Sequence, residues 1–71
     1  MNDKAFDEVT SLRLRLEEMR LEHRDLDDAI AGLAESPTGD ELMLRRLKKR
    51  KLALKDRIIA IEHILSPDER A

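Results

Sequence analysis

A heptad spacing of apolar residues, present on both sides of a single turn, is the feature that most constrains the fold of this chain. Within each segment the residues recur at alternating steps of three and four, which places them along one face of an α-helix. We call these residues the seam, and His23 and Lys51 are its polar members. They are Val9, Leu12, Leu16, Met19, His23, Leu26, Ile30 and Leu33 in the first segment, and Leu44, Leu47, Lys51, Leu54, Ile58, Ile61 and Leu65 in the second.

The turn between the two segments is predicted at Ser36-Pro37-Thr38-Gly39. Proline disfavours the helical conformation for the residue before it, so the first helix should end just before Ser36. Thr38 followed by Glu41 matches a capping box, in which two side chains satisfy free N–H groups at the start of a helix. This pattern predicts that the second helix begins near the end of the turn.

The two halves of the seam fit each other in an antiparallel hairpin. Facing residues in such a hairpin have numbers that add to a constant, and this holds for every layer from Leu33 opposite Leu44 to Leu12 opposite Leu65. We therefore predict an all-α fold, a two-helix antiparallel coiled-coil hairpin in a single domain. Its predicted parts are a helix over about 4–34, a turn over 35–38, a helix over 39–65 and a short tail over 66–71.

Charged residues beside the seam are expected to pair across the two helices. Such exposed ion pairs contribute little to stability and bear mainly on register and orientation. Arg20 and Lys55 form one repulsive combination in this register. The favourable pairs expected are Asp27 with Lys48, Arg13 with Glu62, and Glu22 with Arg57.

The composition limits the classes of protein to consider. Charged residues make up 42% of the 71 residues and apolar residues 41%, a balance typical of long helices and coiled coils. No cysteine is present for a disulfide or a thiolate metal site. Because the N-terminal residues are charged and no long apolar run follows, we expect no signal peptide and no membrane span, and a cytoplasmic protein.

Residues that often carry chemistry are expected to be structural here. His23 should set the register of the seam and reach a carboxylate such as Asp27, while Lys51 should cover apolar surface with its stem. His63 falls on the outer face, far along the chain from His23, so no histidine pair with metal-ligand spacing exists. We expect no catalytic residue, no metal, no cofactor and no small-molecule substrate, because two packed helices cannot enclose a pocket.

A basic segment over residues 45–51 has three interpretations. It contains six cations in seven positions, namely Arg45, Arg46, Lys48, Lys49, Arg50 and Lys51. The side chains are interpreted as a solvated helix face, as a surface for an acidic protein, or as a binding site for nucleic-acid phosphates. Nucleic acid is the less favoured ligand, because no aromatic residue lies nearby to stack on bases.

Two blocks of sequence resemble a known family. They are Glu22-His23-Arg24-Asp25-Leu26-Asp27 followed by Ile30, and the string LKKRKLALKDRI that begins at Leu47. Together they resemble the YdcH-like family, very short bacterial proteins of unknown function. The resemblance covers roughly residues 12–62 and implies a helical hairpin, but it implies no catalytic residue and no partner.

Some apolar residues lie where the hairpin cannot bury them. Leu14 and Leu21 are spaced by seven on the back of the first helix, and Leu52 and Ile59 are spaced likewise on the second. Aligned apolar stripes usually mark an interface. We therefore expect a homo-oligomer, forming a helical bundle, or docking on a partner helix. The leading function is a structural or protein-interaction module, and the alternative is a nucleic-acid-associated accessory protein that uses segment 45–51.

Overall fold

The computed structural model describes residues 3–66, with side chains described from residue 7 onwards, and it forms a helical hairpin. Helix α1 is Asp3–Glu35 and helix α2 is Glu41–Leu65. The two helices pack side by side in a body of 58 × 28 × 14 Å, and residues 3–66 contain no strand. The predicted all-α hairpin is confirmed. Of the predicted tail, residues 67–71 lie outside the described part.

The hydrophobic core lies along the line of contact between α1 and α2. Its buried residues are Leu16, Leu26, Leu54, Ile58 and Ile61, and Leu12, Met19, Leu47 and Leu65 pack against them. The other seam residues are half-buried, except Val9, which is 43% exposed. In the hairpin register Val9 would face position 68, which lies beyond the end of α2. The part of α1 before Leu12 therefore extends past the last residue of α2, Leu65.

The connection between the helices is closed by short hydrogen bonds. The Ser36 N–H donates to the Leu33 carbonyl at 3.2 Å, and the Gly39 N–H donates to the Ser36 carbonyl at 3.1 Å. Pro37 follows Ser36, and α1 ends one residue earlier, at Glu35. The end of α1 therefore lies within one residue of its predicted position.

The predicted capping box at the start of α2 is wrong. The N-cap is Asp40, whose carboxylate accepts a hydrogen bond from the Met43 N–H at 3.1 Å. Thr38 instead donates its N–H to the Ser36 hydroxyl at 3.3 Å. Aspartate and threonine are both good N-caps, so the choice depends on which one the turn places beside the free N–H groups. As a result α2 begins at Glu41, two residues later than predicted.

The two helices carry opposite net charge. Helix α1 contains ten acidic and five basic side chains, for a net charge of −5. Helix α2 contains eight basic and three acidic side chains if histidine is neutral, for a net charge of +5. Unlike helices therefore attract each other, whereas α1 on α1 or α2 on α2 would bring like charges together.

Ion pairs join the helices on both sides of the seam, but with other partners than predicted. Arg20 Nη2 lies 2.8 Å from Glu62 Oε2, and this bond raises the pKa of Arg20. Arg50 Nη2 lies 3.3 Å from Glu22 Oε2, and Lys51 Nζ lies 2.6 Å from Asp27 Oδ1. The predicted partners Lys48 for Asp27, Arg13 for Glu62 and Arg57 for Glu22 were wrong.

The physical reason for these errors is that each edge of a heptad repeat offers the same side chain several partners. Edge positions recur every seven residues, so Arg20 has both Lys55 and Glu62 on the facing edge of α2. Arg20 takes the carboxylate, and it also bonds to Glu17 within α1. Lys55 instead lies close enough to Asp27 to lower the pKa of that carboxyl.

The turn predicts opposite effects for alanine at the two glycines. A Cβ on Gly39 would come 2.7 Å from the Leu33 carbonyl oxygen, which is backbone and cannot move aside, so Gly39→Ala should lower the melting temperature. A Cβ on Gly32 would meet nothing within 4 Å. Gly32→Ala should therefore stabilise α1 by up to about 1 kcal/mol and raise the melting temperature by roughly 4–8 °C. Thermal unfolding by circular dichroism measures both, and a stabilising Gly39→Ala would contradict this geometry.

Candidate interaction surface

A polar cluster crosses the seam near its middle. Asp27 on α1 accepts a hydrogen bond from Lys51 on α2 through Oδ1, and its Oδ2 lies 3.7 Å from His23 Nδ1. The hydrogen bond from Lys51 lowers the pKa of Asp27, burial opposes that shift, and the charges of His23 and Lys55 add to it. One carboxylate thus lies beside both polar members of the seam. The contact with His23 is made within α1, so only the bond from Lys51 depends on the register of the hairpin.

The other ring nitrogen of His23 faces away from Asp27 and from water. This Nε2 atom is buried and has no hydrogen-bond partner among the described residues. This placement supports a structural role for His23, in which Asp27 orients the ring and the rest of it fills the seam.

The described residues do not bring other chemistry-bearing side chains together. His63 is exposed on the outer face of α2. Within residues 3–66 there is no group of three or more histidine, aspartate or glutamate side chains arranged to hold a metal ion.

The basic segment divides into paired and unpaired cations. Arg50 and Lys51 bind Glu22 and Asp27 across the hairpin. The remaining four have no carboxylate of the described residues within 4.0 Å, because the stretch of α1 beside them, residues 29–34, contains no charged side chain. These four are Arg45, Arg46, Lys48 and Lys49. They form a cationic surface on the turn-proximal half of α2.

The predicted interface residues are exposed on both helices. Leu14 is 61% exposed and Leu21 60% on α1, while Leu52 is 62% and Ile59 42% on α2. Hairpin formation thus leaves two leucine-rich stripes in water. Sequence reasoning did not single out Leu42, Met43 and Ile64, which are also exposed. Leu42 lies ten residues before Leu52, a helical spacing that would have placed both on the outer side of α2.

An open groove runs along the first part of α1. It has a volume of about 670 Å³ and is lined by Asp7, Glu8, Ser11, Leu12, Leu14, Arg15 and Glu18. All of its walls belong to one helix, so it cannot surround a small molecule as an enzyme pocket does.

Replacing Asp27 tests the polar cluster. The lowered pKa of Asp27 means that the folded state favours the ionised carboxyl, so this stabilisation is present at neutral pH and is lost as the pH falls through that lowered pKa. Asp27→Asn should lower the melting temperature near neutral pH, and the difference from the wild type should shrink in acid. Asp56→Asn, at an exposed position with no ion pair among the described residues, is the control. Equal effects of both substitutions at neutral pH would refute a specific role for the cluster.

Neither described helix has an apolar stretch long enough to cross a lipid bilayer.

A family model described as a protein of unknown function, DUF465, matches residues 16–62 of the chain. The match spans the turn and all three residues of the polar cluster, His23, Asp27 and Lys51. No curated protein and no solved structure matched the chain. Since the matched segment is most of the sequence and carries both blocks that resembled the YdcH-like family, the chain belongs to DUF465, the YdcH-like family of uncharacterised small proteins.

Proposed function

We propose that this hairpin is a non-enzymatic interaction module that acts by packing further helices against its outer surfaces. The observation that carries the proposal is the exposure of Leu14, Leu21, Leu52 and Ile59. Isolated exposed leucines are ordinary, but these four form two stripes with heptad spacing on a chain whose core has only five buried residues. Covering the stripes would bury four large apolar side chains, one fewer than the five that are buried in the core.

The distribution of polar side chains supports the same function. The histidine and lysine of the seam lie beside Asp27 inside the hairpin, so we propose that they serve the fold and not catalysis. The module is proposed to work without a metal, a cofactor or a small-molecule substrate. We propose the cytoplasm as its compartment, because a hairpin held by noncovalent packing needs no oxidising environment.

Photo-cross-linking in the producing cell tests this function. A benzoylphenylalanine in place of Leu14 or Leu52 should give defined cross-linked products, because a partner helix covers these positions. The same residue at Ala29, which is exposed on α1 but lies outside both stripes, should give few products. Denaturing gels followed by mass spectrometry measure the products. An absence of products at Leu14 and Leu52, or equal yields at Ala29, would count against an interaction module.

A second candidate function is association with nucleic acid through segment 45–51. The observation that favours it is the set of four cations without a carboxylate partner among the described residues. Against it, the four side chains wrap around about half of one helix instead of tracking a groove, and the net charge of the chain is −2.

Duplex DNA binding at low and at physiological salt separates the two functions. We expect weak binding that disappears as salt rises, because phosphate contacts release counterions. Arg46→Gln, Lys48→Gln and Lys49→Gln together should abolish the weak binding. Arg13→Gln, Arg15→Gln and Arg24→Gln change the net charge equally on α1 and should retain it. Tight binding with a preferred sequence at physiological salt would make nucleic acid the primary ligand.

A further inference from the structure

The outer surface of α1 carries a second heptad row, in addition to the seam. A helix turns by about 100° per residue, so Leu14, which lies midway between Leu12 and Leu16, points away from α2. The row through Leu14 continues at alternating steps of three and four, as the seam does. We call it the outer row of α1, and all its members are exposed: Ser11, Leu14, Glu18, Leu21, Asp25 and Asp28. Its charged members are all carboxylates.

A complementary row lies on α2, on the side of the hairpin where Glu62 binds Arg20. It also follows alternating steps of three and four and contains both leucine-stripe residues of α2. We call it the flank row of α2, and its members are likewise exposed: Arg45, Lys48, Leu52, Lys55, Ile59 and Glu62. Three of its charged members are cations. Two rows of opposite charge, each with two large apolar residues, are thus left without a partner in one hairpin.

We propose that the occupant of each row is a second copy of this chain, with the outer row of α1 packed antiparallel on the flank row of α2 from the next copy. This inference rests on the proposed interaction function and names the partner. The polarity is the same as that of α1 on α2 inside the hairpin. The net charges of −5 and +5 on the two helices favour this pairing over pairing of identical helices.

One antiparallel register makes every layer of the contact complementary. Aligning Leu14 with Ile59 also aligns Leu21 with Leu52, because both pairs are spaced by seven. The layers between and beside them bring acidic side chains onto basic ones. These layers are Glu18 on Lys55, Asp25 on Lys48, and Asp28 on Arg45, with Ser11 on Glu62 at the end of the row.

The main competing arrangement is a parallel one, and it contains a repulsive layer. Aligning Leu14 with Leu52 in parallel also aligns Leu21 with Ile59, but it brings Asp25 of the outer row beside Glu62 of the flank row. These two carboxylates, next to an apolar layer of a small contact, repel each other. The antiparallel register has no such layer.

The outer row of α1 faces directly away from α2, whereas each flank-row residue follows a seam residue by one and faces about 100° from the seam. One partner copy therefore cannot cover both rows, and the contact does not close into a symmetric dimer by itself. A copy that binds through its outer row still presents its flank row to another copy. Association should therefore continue beyond the dimer as concentration rises. In sedimentation equilibrium, the average mass should rise above the 8.2 kDa of one chain without levelling at twice that value.

Disulfide trapping tests the register directly, since the chain has no cysteine of its own. Four single-cysteine chains, Leu14→Cys, Leu21→Cys, Leu52→Cys and Ile59→Cys, are mixed in pairs in a thiol-disulfide buffer. The pairs 14 with 59 and 21 with 52 should form mixed disulfides between copies. The pairs 14 with 52 and 21 with 59 should not, because antiparallel packing leaves them about 10 Å out of register, beyond disulfide reach.

Charge exchange tests the same contact without touching its apolar residues. Asp25→Lys alone and Lys48→Glu alone should each weaken association by about tenfold, as measured by sedimentation equilibrium. The double variant should recover most of the loss, because the exchanged charges again face each other between copies. Asp56→Lys changes the net charge as much as Asp25→Lys but lies outside both rows and should not weaken association.

Leucine replacement gives a further matched pair. Leu21→Gln combined with Leu52→Gln should leave the helical circular dichroism unchanged and return the chain to a monomer. Ile64→Gln removes an equally exposed residue outside both rows and should not alter association.

The proposal is overturned by a wild-type chain that stays monomeric at hundreds of micromolar, by disulfides in the parallel pattern, or by a double charge variant that does not recover. A monomeric chain whose Leu14 and Leu52 cross-linkers capture a different protein in cells would reject self-association while retaining the interaction function. A monomer with no cross-linked product at either position would reject both.

Discussion

Burial of a single apolar stripe from each of two helices is the interaction on which the whole structure depends. Among residues 7–66, whose side chains the structure describes, only Leu16, Leu26, Leu54, Ile58 and Ile61 are buried, and none of these is fully enclosed. Each helix can turn only one face to the other, so every other feature of the chain is arranged around one line of contact. A protein of this size has little apolar burial to offset the conformational entropy that folding removes. Its stability is therefore sensitive to how well the two helices stay in register.

Polar and charged groups specify the register that the apolar seam alone leaves open. A regular heptad repeat packs almost as well when one helix slides by seven residues. Asp27 resists such a slide through its bond to Lys51 on α2, which a shift of seven residues would break. The bonds from Arg20 to Glu62 and from Arg50 to Glu22, one on each edge of the seam, also favour this register. Because exposed ion pairs contribute little free energy, they affect which alignment of the helices forms more than they affect the stability of the hairpin.

The same geometry explains why the outer surfaces are the functional candidates. A two-helix body has no interior beyond its seam, so side chains that are available for recognition lie on convex faces. The acidic outer row of α1 and the basic flank row of α2 have the heptad spacing, apolar layers and opposite charges that join the helices within one hairpin. In the proposed assembly, the same combination of apolar layers and opposite charges pairs α1 with α2 both within one chain and between chains. Membership of the DUF465 family fits a small helical protein of this kind and assigns no activity to it.

The sequence by itself determined the two helices, their antiparallel pairing and the seam, because helix periodicity and a single proline-glycine turn leave few alternatives for so regular a pattern. It also located the leucine stripes, since a residue midway between two seam positions must point outward. The tertiary structure decided what depends on atomic placement at helix ends and edges. Asp40 rather than Thr38 caps α2, because the turn brings its carboxylate to the Met43 N–H. Glu62 binds Arg20 rather than Arg13, because edge positions repeat every seven residues and only side-chain reach selects among them.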